Sequence, residues 1–530
     1  MLCAAQFLMV LDQAVMNVSI SQLVEDFNTS VTTIQAVITF YSLVMAALMI
    51  TGGKVGDLIG RKRAFAIGMV IYASGSALTA ASWSVASLAL GWSVLEGIGA
   101  ALVMPALVAL VAGNFVGERR ALAYGIVGGM AGVGIAVGPI LGGWMTTYYS
   151  WRWVFVGEVV VAAIILLLVR AVEDSPREGR APQLDVVGSI LSAVGLGLVV
   201  FGVLQSSTWG WLKPRNAPFE IFGFAPTVFV IAAGLVVLGL FVTWQRHREN
   251  IGRDPLVRLE LFKNVTLRSG VSMFLAQNMI LMGIFFVMPL YLQVVLGYDA
   301  FDTGVRMLPI SVTLFAAALA GPKLAQWFGP RTTVRAGLVV LLVGTALLLS
   351  LIEPELDTGW FAITMAILGL GMGMISGQLG NVVQSSVQES ERSEAGGVQN
   401  TAQQFGSSLG VALMGAIVIG GLAAGFLGKV NSSAELSQAT KDTANISLEA
   451  GVPFIPASDV EQAAKDAGIP DDEVAVVVDA YADTELAALK AGLLLAGFII
   501  LASFWFTRKL PTTAMGAGAG QPSAGSTSST

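Results

Sequence analysis

Apolar residues run along this chain in long windows, each closed by charged or turn-forming residues, and not in the short alternations of a half-buried strand. A bilayer core asks for about 20 apolar residues per helix. Fourteen windows meet that length: 2–23, 34–53, 64–83, 86–112, 122–146, 153–171, 184–205, 222–244, 270–295, 304–325, 333–352, 360–382, 398–421 and 487–507. Helices are expected for all of them, because lipid cannot satisfy the polar edge of an open sheet. The first window opens at once, with Met1 almost inside it. It could pass for a signal peptide, but it carries Asp12 and Asn17 and thirteen windows follow, so it reads as a retained helix.

The charges support a polytopic reading. Loops assigned to alternating sides divide the 29 Lys and Arg unevenly, 21 on one side and 8 on the other. The rich side holds Arg61, Lys62 and Arg63 and the stretch from Arg246 to Arg268, and the positive-inside rule makes it cytoplasmic. An even number of spans puts both termini there, which predicts a multi-pass protein of the plasma membrane. No Lys or Arg is left for the middle of a span. Of the 530 residues 55% are hydrophobic and 12% charged, half the charged share of a soluble domain, which is about a quarter. One Cys (Cys3) permits no internal disulfide or cysteine cluster, and one His (His247) no multi-histidine metal site, so neither metal nor cofactor is expected. A net charge of −6 offers no basic surface to nucleic acid.

A weak repeat divides the chain. Gly97, Gly99, Gly125, Gly134 and Gly138 recur at one constant spacing as Gly369, Gly371, Gly397, Gly406 and Gly410. At a nearly equal spacing, Gly52, Lys54, Gly60 and Lys62 recur as Gly321, Lys323, Gly329 and Arg331. A same-direction repeat fits two bundle halves related by an axis along the membrane normal. The expected organisation is a six-helix half over 1–172, linkers with an inserted helix pair over 173–267, and a second six-helix half over 268–507. The second half includes an acidic extracytoplasmic segment at 427–486, where Ser458-Asp459-Val460-Glu461 fits a capping box and Pro470-Asp471-Asp472-Glu473 a second helix start. Residues 508–530, rich in Gly, Ala, Ser and Thr, read as a disordered cytoplasmic tail.

Three segments carry mechanism. In Gly52-Gly53-Lys54-Val55-Gly56-Asp57-Leu58-Ile59-Gly60-Arg61-Lys62-Arg63, glycines let two helix ends approach. Asp57 can cap a helix or pair with an Arg, and the basic run meets anionic headgroups. A bare positive-inside anchor is the simpler alternative. Gly134, Gly138 and Gly142 share one face of the fifth span, where a neighbouring helix can pack on bare backbone, and Pro139 favours a kink. That surface suits a helix rocking against the other half, or static packing. Ser150-Trp151-Arg152-Trp153-Val154-Phe155 follows it.

On these residues the chain resembles the major facilitator superfamily. Gly53, Asp57, Gly60, Arg61 and Lys62 match its G-x-x-x-D-R-x-G-R-R/K loop, with Leu58 where an Arg is usual. Leu11-Asp12-Gln13-Ala14-Val15-Met16-Asn17-Val18, the glycine run around Pro139 and the fourteen windows look like its drug:proton antiporter-2 branch, which includes quaternary-ammonium and multidrug efflux pumps. The resemblance implies an all-α membrane protein of the major facilitator fold. It further implies gating roles for Gly53, Asp57, Gly60, Arg61, Lys62, Gly134, Gly138, Pro139 and Gly142.

Of the 35 acidic residues, Asp12, Glu96 and Glu158 fall clearly within the spans. A charge at mid-bilayer costs a few kcal/mol, so each should face the interior or water. A buried carboxyl can take up and release a proton during a cycle. Gln13 and Asn17 stripe the Asp12 helix. Glu96 stands where the family usually has Gln, and Ser93 where it has Arg, so Glu96 is either a second titrating group or a structural hydrogen-bonding one. Glu158 is either a coupling group or a water-exposed partner of Arg152. Gln277, Asn278, Met282 and Phe286 on the ninth span and Gln378 and Asn381 on the twelfth suggest an adaptable cavity wall.

These features predict a non-enzymatic, monomeric exporter that exchanges protons for small amphipathic, cationic compounds by alternating access. An exporter of a lipid, siderophore or self-made antibiotic is the alternative. A membrane sensor or enzyme is disfavoured for want of a catalytic cluster, and the glycine runs lack the phosphate-binding G-x-x-x-x-G-K-[ST] pattern.

Overall fold

The structure, a computed structural model, describes residues 1–115, 117–172, 183–214, 217–388, 391–447 and 454–512. Arg177, Arg180 and Arg215 of the charge count, part of the acidic segment and the tail beyond 512 lie outside them.

Among the described residues every predicted apolar window coincides with helix. The chain begins with α1 (Leu2–Val18), α2 (Ile20–Asp26), α3 (Val31–Ile59) and α4 (Arg61–Ala80). The fourth window is built from α5 (Val85–Leu88), a π-helical stretch (Ala89–Glu96) and α6 (Gly97–Asn114). After it come α7 (Gly117–Tyr148) and α8 (Arg152–Leu168), then α9 (Val186–Trp209) and α10 (Pro226–Asn250). Next are α11 (Val265–Pro289), α12 (Ala300–Phe328), α13 (Pro330–Leu351), α14 (Thr358–Ser385) and α15 (Arg392–Ser432). The last three are α16 (Gln438–Ser447), α17 (Ala457–Asp466) and α18 (Asp471–Phe506). Twelve helices are long and apolar enough to cross a membrane. The bent pair α1 and α2, at 66°, would make a thirteenth. The expected count of fourteen also needs α8, which has 17 residues.

Local chemistry marks the ends. Side chains of Ser30, Asp185, Asn264, Asp299 and Asp357 accept hydrogen bonds from first-turn N–H groups of α3, α9, α11, α12 and α14. Gly60 and Gly329, equivalent positions of the repeat, join α3 to α4 and α12 to α13 with φ of 101° and 80°, where a side chain would be strained.

The glycine repeat corresponds to repeated helix crossings. A Cβ on Gly99 would lie 2.6 Å from the Tyr72 nitrogen, and one on Gly371 2.7 Å from that of Leu341. Gly134 packs on the Phe7 carbonyl of α1, and Gly406 on the Leu275 carbonyl of α11. Small residues thus let backbones touch where apolar attraction between helices is weak.

Hydrogen bonds tie α1, α3 and α7 to the later helices toward the face opposite the two chain ends. Gln293 Nε2 donates to the Val18 carbonyl (2.8 Å), Gln35 Nε2 to that of Val411 (2.9 Å), and the Phe301 N–H to Thr147 Oγ1 (3.0 Å). On that face, α7 meets α12 backbone to backbone at Gly143 and Ala300 and at Pro139 and Gly304.

The helix pair α9–α10 is fastened by one carboxylate. Asp185, 1% exposed, accepts from the Gly188 N–H (2.9 Å), Trp244 Nε1 (2.9 Å) and Gln245 Nε2 (2.8 Å). Arg248 lies 3.8 Å away.

In the acidic segment, the expected capping box does not form. Pro456 caps α17 without a side-chain bond, and Ser458 falls inside its first turn. The Pro470 start holds, with Asp471, Asp472 and Glu473 in the first turn of α18, favourable to the helix dipole. From there α18 runs without a break through the last window.

Candidate functional site

The site begins at a crossing of α4 over the fourth window. A Cβ on Gly75 would lie 2.6 Å from Glu96 Cγ, and one on Gly91 2.8 Å from the Thr79 nitrogen. With both glycines bare, the two backbones close up and Thr79 Oγ1 donates to Glu96 Oε1 (3.1 Å). The π-helical stretch ends at Glu96, a local over-wide turn of a kind frequent at functional sites. One turn before Glu96, Trp92 Nε1 donates to Asp12 Oδ1 of α1 (2.7 Å), and its ring stacks on Tyr41 of α3 at 4.6 Å. Glu158 of α8 completes the group, its Oε2 accepting from Tyr72 OH (3.0 Å) and Ser76 Oγ (3.2 Å) of α4.

Three helical elements thereby deliver three acids to one point. A carboxylate oxygen from each of Asp12, Glu96 and Glu158 lies within 4.8 Å of the other two. All three side chains are buried. Each has one oxygen bonded and one, Asp12 Oδ2, Glu96 Oε2 or Glu158 Oε1, without a partner. Among the described residues no Lys, Arg or His forms an ion pair with any of them.

The expected alternative partner of Glu158 is engaged elsewhere. Arg152 bonds Asp26 (2.8 Å) and lies over the Trp151 ring at 4.4 Å, while Trp151 Nε1 donates to the same Asp26 oxygen (2.8 Å). The Ser150-Trp151-Arg152 segment is therefore a latch between α2 and α8, and Glu158 is not water-exposed.

The other expected residues scatter. Gln13 lies near Gln404 (3.5 Å) between α1 and α15. Asn17 donates to the Gln13 carbonyl (2.7 Å), and its Oδ1 is buried without a partner. Gln277 bonds Ser376, and Asn278 turns back to the Phe274 carbonyl (2.9 Å). Gln378 is wholly buried with neither amide atom bonded. Met282 is half-buried against the core, whereas Asn381 is exposed. Phe286, expected on the cavity wall, has no exposed surface and is core packing.

Of the residues expected to gate, Asp57 pairs with Arg61 (3.3 Å), and Lys62 donates to the Val172 carbonyl (2.5 Å). Gly53 faces Pro105, while its neighbour Gly52 presses on the Ala101 carbonyl. Gly134, Gly138 and Gly142 face α1 and not the later helices, so the surface on α7 that meets the second set of helices is the Gly132, Pro139 and Gly143 side. The α7 helix passes Pro139 unbroken.

Sequence reasoning missed Tyr41, Tyr72, Ser76, Thr79 and Trp92. Tyr72, Ser76 and Thr79 at four- and three-residue spacing make a polar stripe on an otherwise apolar helix, which is the signal that could have found them. It also missed Glu485, which α18 carries into the interior at 1% exposure. Val474, Val477 and Tyr481 lie on the same helical face.

An all-helical bundle of candidate spans with a buried polar site defines a multi-pass membrane protein, and its sequence comparisons give the family. Residues 2–411 match the model described as Major Facilitator Superfamily. The chain belongs to this superfamily, and it is a transporter and not an enzyme. It is 32% identical to the "Puromycin resistance protein pur8" of Streptomyces alboniger, over 79% of this chain and 81% of that one. It is 31% identical to the "Probable actinorhodin transporter" of Streptomyces coelicolor, over 78% and 71%. It is 30% identical to the "Multidrug efflux pump LfrA" of Mycolicibacterium smegmatis, over 77% and 78%. In fold it is similar to a bacterial homolog of the human lysosomal transporter Spinster (TM-score 0.59, 16% identity, 96% of both chains). It is similar also to a D-xylose-proton symporter (TM-score 0.55, 13% identity, 78% and 88%).

Proposed function

We propose that this protein exports amphipathic, cationic compounds across the plasma membrane in exchange for protons, working as a monomer by alternating access. The observation that carries the reading is the cluster of Asp12, Glu96 and Glu158, three buried acids from separate elements with no base among the described residues to neutralise them. Three like charges packed so closely repel one another, so the cluster favours taking up protons or a cationic cargo. Trp92 and Tyr41, stacked beside Asp12 and buried in this state, become an aromatic wall for a cationic head when the helices part. The names of the relatives, a puromycin resistance protein and a multidrug efflux pump, support drug efflux.

In this reading fourteen spans cross the membrane, with α8 and the bent α1–α2 pair counted. Both termini are cytoplasmic, and residues 1–172 and 268–507 are the two moving halves around the 173–267 insert. The closed face, held by Gln293, Gln35 and Thr147, is the outer one. Gly53, Asp57, Gly60, Arg61 and Lys62 work at the inner gate. Gly134, Gly138 and Gly142 hold α7 to α1 so that the two move as one. Exchanging one proton for one monovalent cation moves no net charge and draws on the pH gradient, about 1.4 kcal/mol per unit.

A second reading, export of a self-made antibiotic, is favoured by the name of the actinorhodin transporter relative. Everted vesicles loaded with a pH-sensitive dye separate the two. Lipophilic cations collapse the gradient if the first reading is right. Collapse by neutral or anionic compounds alone removes the cationic assignment.

A further inference from the structure

The acid cluster has the dimensions of a metal site. In a calcium-type site oxygen ligands stand about 2.3–2.6 Å from the ion, so ligands on opposite sides of it are roughly 4.6–5.2 Å apart. The carboxylate oxygens of Asp12, Glu96 and Glu158 all lie within 4.8 Å of one another, so one cation between them reaches all three after small side-chain movements. Magnesium demands near-ideal octahedral geometry and usually keeps several waters, which a fully buried group of three acids and one phenol does not offer. A second observation comes from outside the acids. Tyr41, 1% exposed, turns its hydroxyl toward Asp12 and has no settled hydrogen-bond partner, which leaves a neutral oxygen available as a ligand. Each acid also keeps a buried oxygen unbonded, while its other oxygen is held by Trp92, Thr79, or Tyr72 with Ser76. Those donors orient the carboxylates as outer-shell partners orient metal ligands.

We infer that Asp12, Glu96 and Glu158, with Tyr41, form a binding site for a hard, oxygen-seeking cation of calcium size, Ca2+ or the similarly sized Na+. The inference deepens the proposed role of the cluster and rests on its being a site for exchangeable positive charge. One divalent ion and one proton neutralise three carboxylates. The ion therefore competes with protons for the same oxygens.

The test uses purified full-length protein in lipid nanodiscs. Retention of radioactive sodium or calcium is measured at pH 6 and pH 8, with magnesium, potassium and lithium as competitors. The expected result is one saturable site that is tighter at pH 8 and favours calcium or sodium over magnesium. Binding should weaken by at least roughly tenfold in Glu158→Gln and in Asp12→Asn. Tyr41→Phe removes one oxygen and keeps the ring stack, so it tests the site even if a carboxylate variant fails to assemble, and should bind several-fold more weakly. The separate calcium and sodium arms tell which ion the site takes. No saturable binding at pH 8, or binding unchanged in the folded Tyr41→Phe and carboxylate variants, overturns the inference. Drug-driven proton flux by the wild type, measured alongside, shows separately whether the transport reading stands.

Discussion

Two groups of buried acid in this molecule are built on opposite plans. Asp185 accepts from three neutral donors and has Arg248 at 3.8 Å. Burial pushes its carboxyl up, but the Trp244, Gly188 and Gln245 hydrogen bonds and the Arg248 charge outweigh that and hold it below its ordinary range. The Asp12, Glu96 and Glu158 cluster has one oxygen per residue satisfied and one bare, and among the described residues no Lys or Arg pairs with it. A buried carboxylate meant to hold structure is saturated, because an unmet partner costs stability. One left half-met among its own kind is set up to exchange charge. Asp185 fastens the α9–α10 pair, and the cluster sits where α1, α8 and the fourth window meet.

The largest expected effect breaks the second group. Asp12→Asn should lower drug-driven proton flux in proteoliposomes by at least roughly tenfold, with the protein folded and monodisperse. Asp185→Ala should do the reverse. It leaves Trp244 Nε1 and Gln245 Nε2 without their acceptor and the Arg248 charge without its counter-ion, and loss of one partner of a buried pair costs about 3–5 kcal/mol. Thermal unfolding in detergent should therefore show a drop of several degrees, while flux per folded molecule is kept.

Acid should act on the same group. Since its folded value is depressed, the stability from Asp185 is present above the ordinary carboxylate range and is lost as pH falls through the folded value. The wild-type melting temperature should accordingly fall more steeply in strong acid than that of Asp185→Asn.

The smallest effect comes from the repeat. The spacing that carries Gly97 to Gly369 carries Glu96 to Leu368, and the one that carries Gly60 to Gly329 carries Tyr72 to Leu341. The second half is thus apolar where the first is acidic. Leu368→Glu would place an acid without its Tyr and Thr donors. It should destabilise by about 2.5–3.5 kcal/mol, read by unfolding, without adding a second coupled proton.

The helical windows were legible because bilayer thickness imposes a length that few other constraints mimic. Their ends were not. Helices α15 and α18 extend into the acidic segment, since polar residues such as Lys429 and Asp479 stop a hydropathy window well before they stop a helix. The Ser458 box failed for a related reason, as Pro456 is the better helix start. The three acids were legible one by one, because charge is rare in an apolar window. Their meeting was not. It depends on the contact at Gly75 and Gly91 and on the extra turn width before Glu96, neither of which has a periodicity. Asp185 was passed over at the edge of its window, where a cap and a buried network look alike in one dimension.

The central claim is that the cluster gives up protons when it takes cargo. Purified protein in weakly buffered detergent solution, titrated with a lipophilic cation while pH is recorded, tests it directly. Binding should release a proton from the wild type and far less from the Asp12→Asn, Glu96→Gln and Glu158→Gln triple variant. Equal release from both proteins would contradict it.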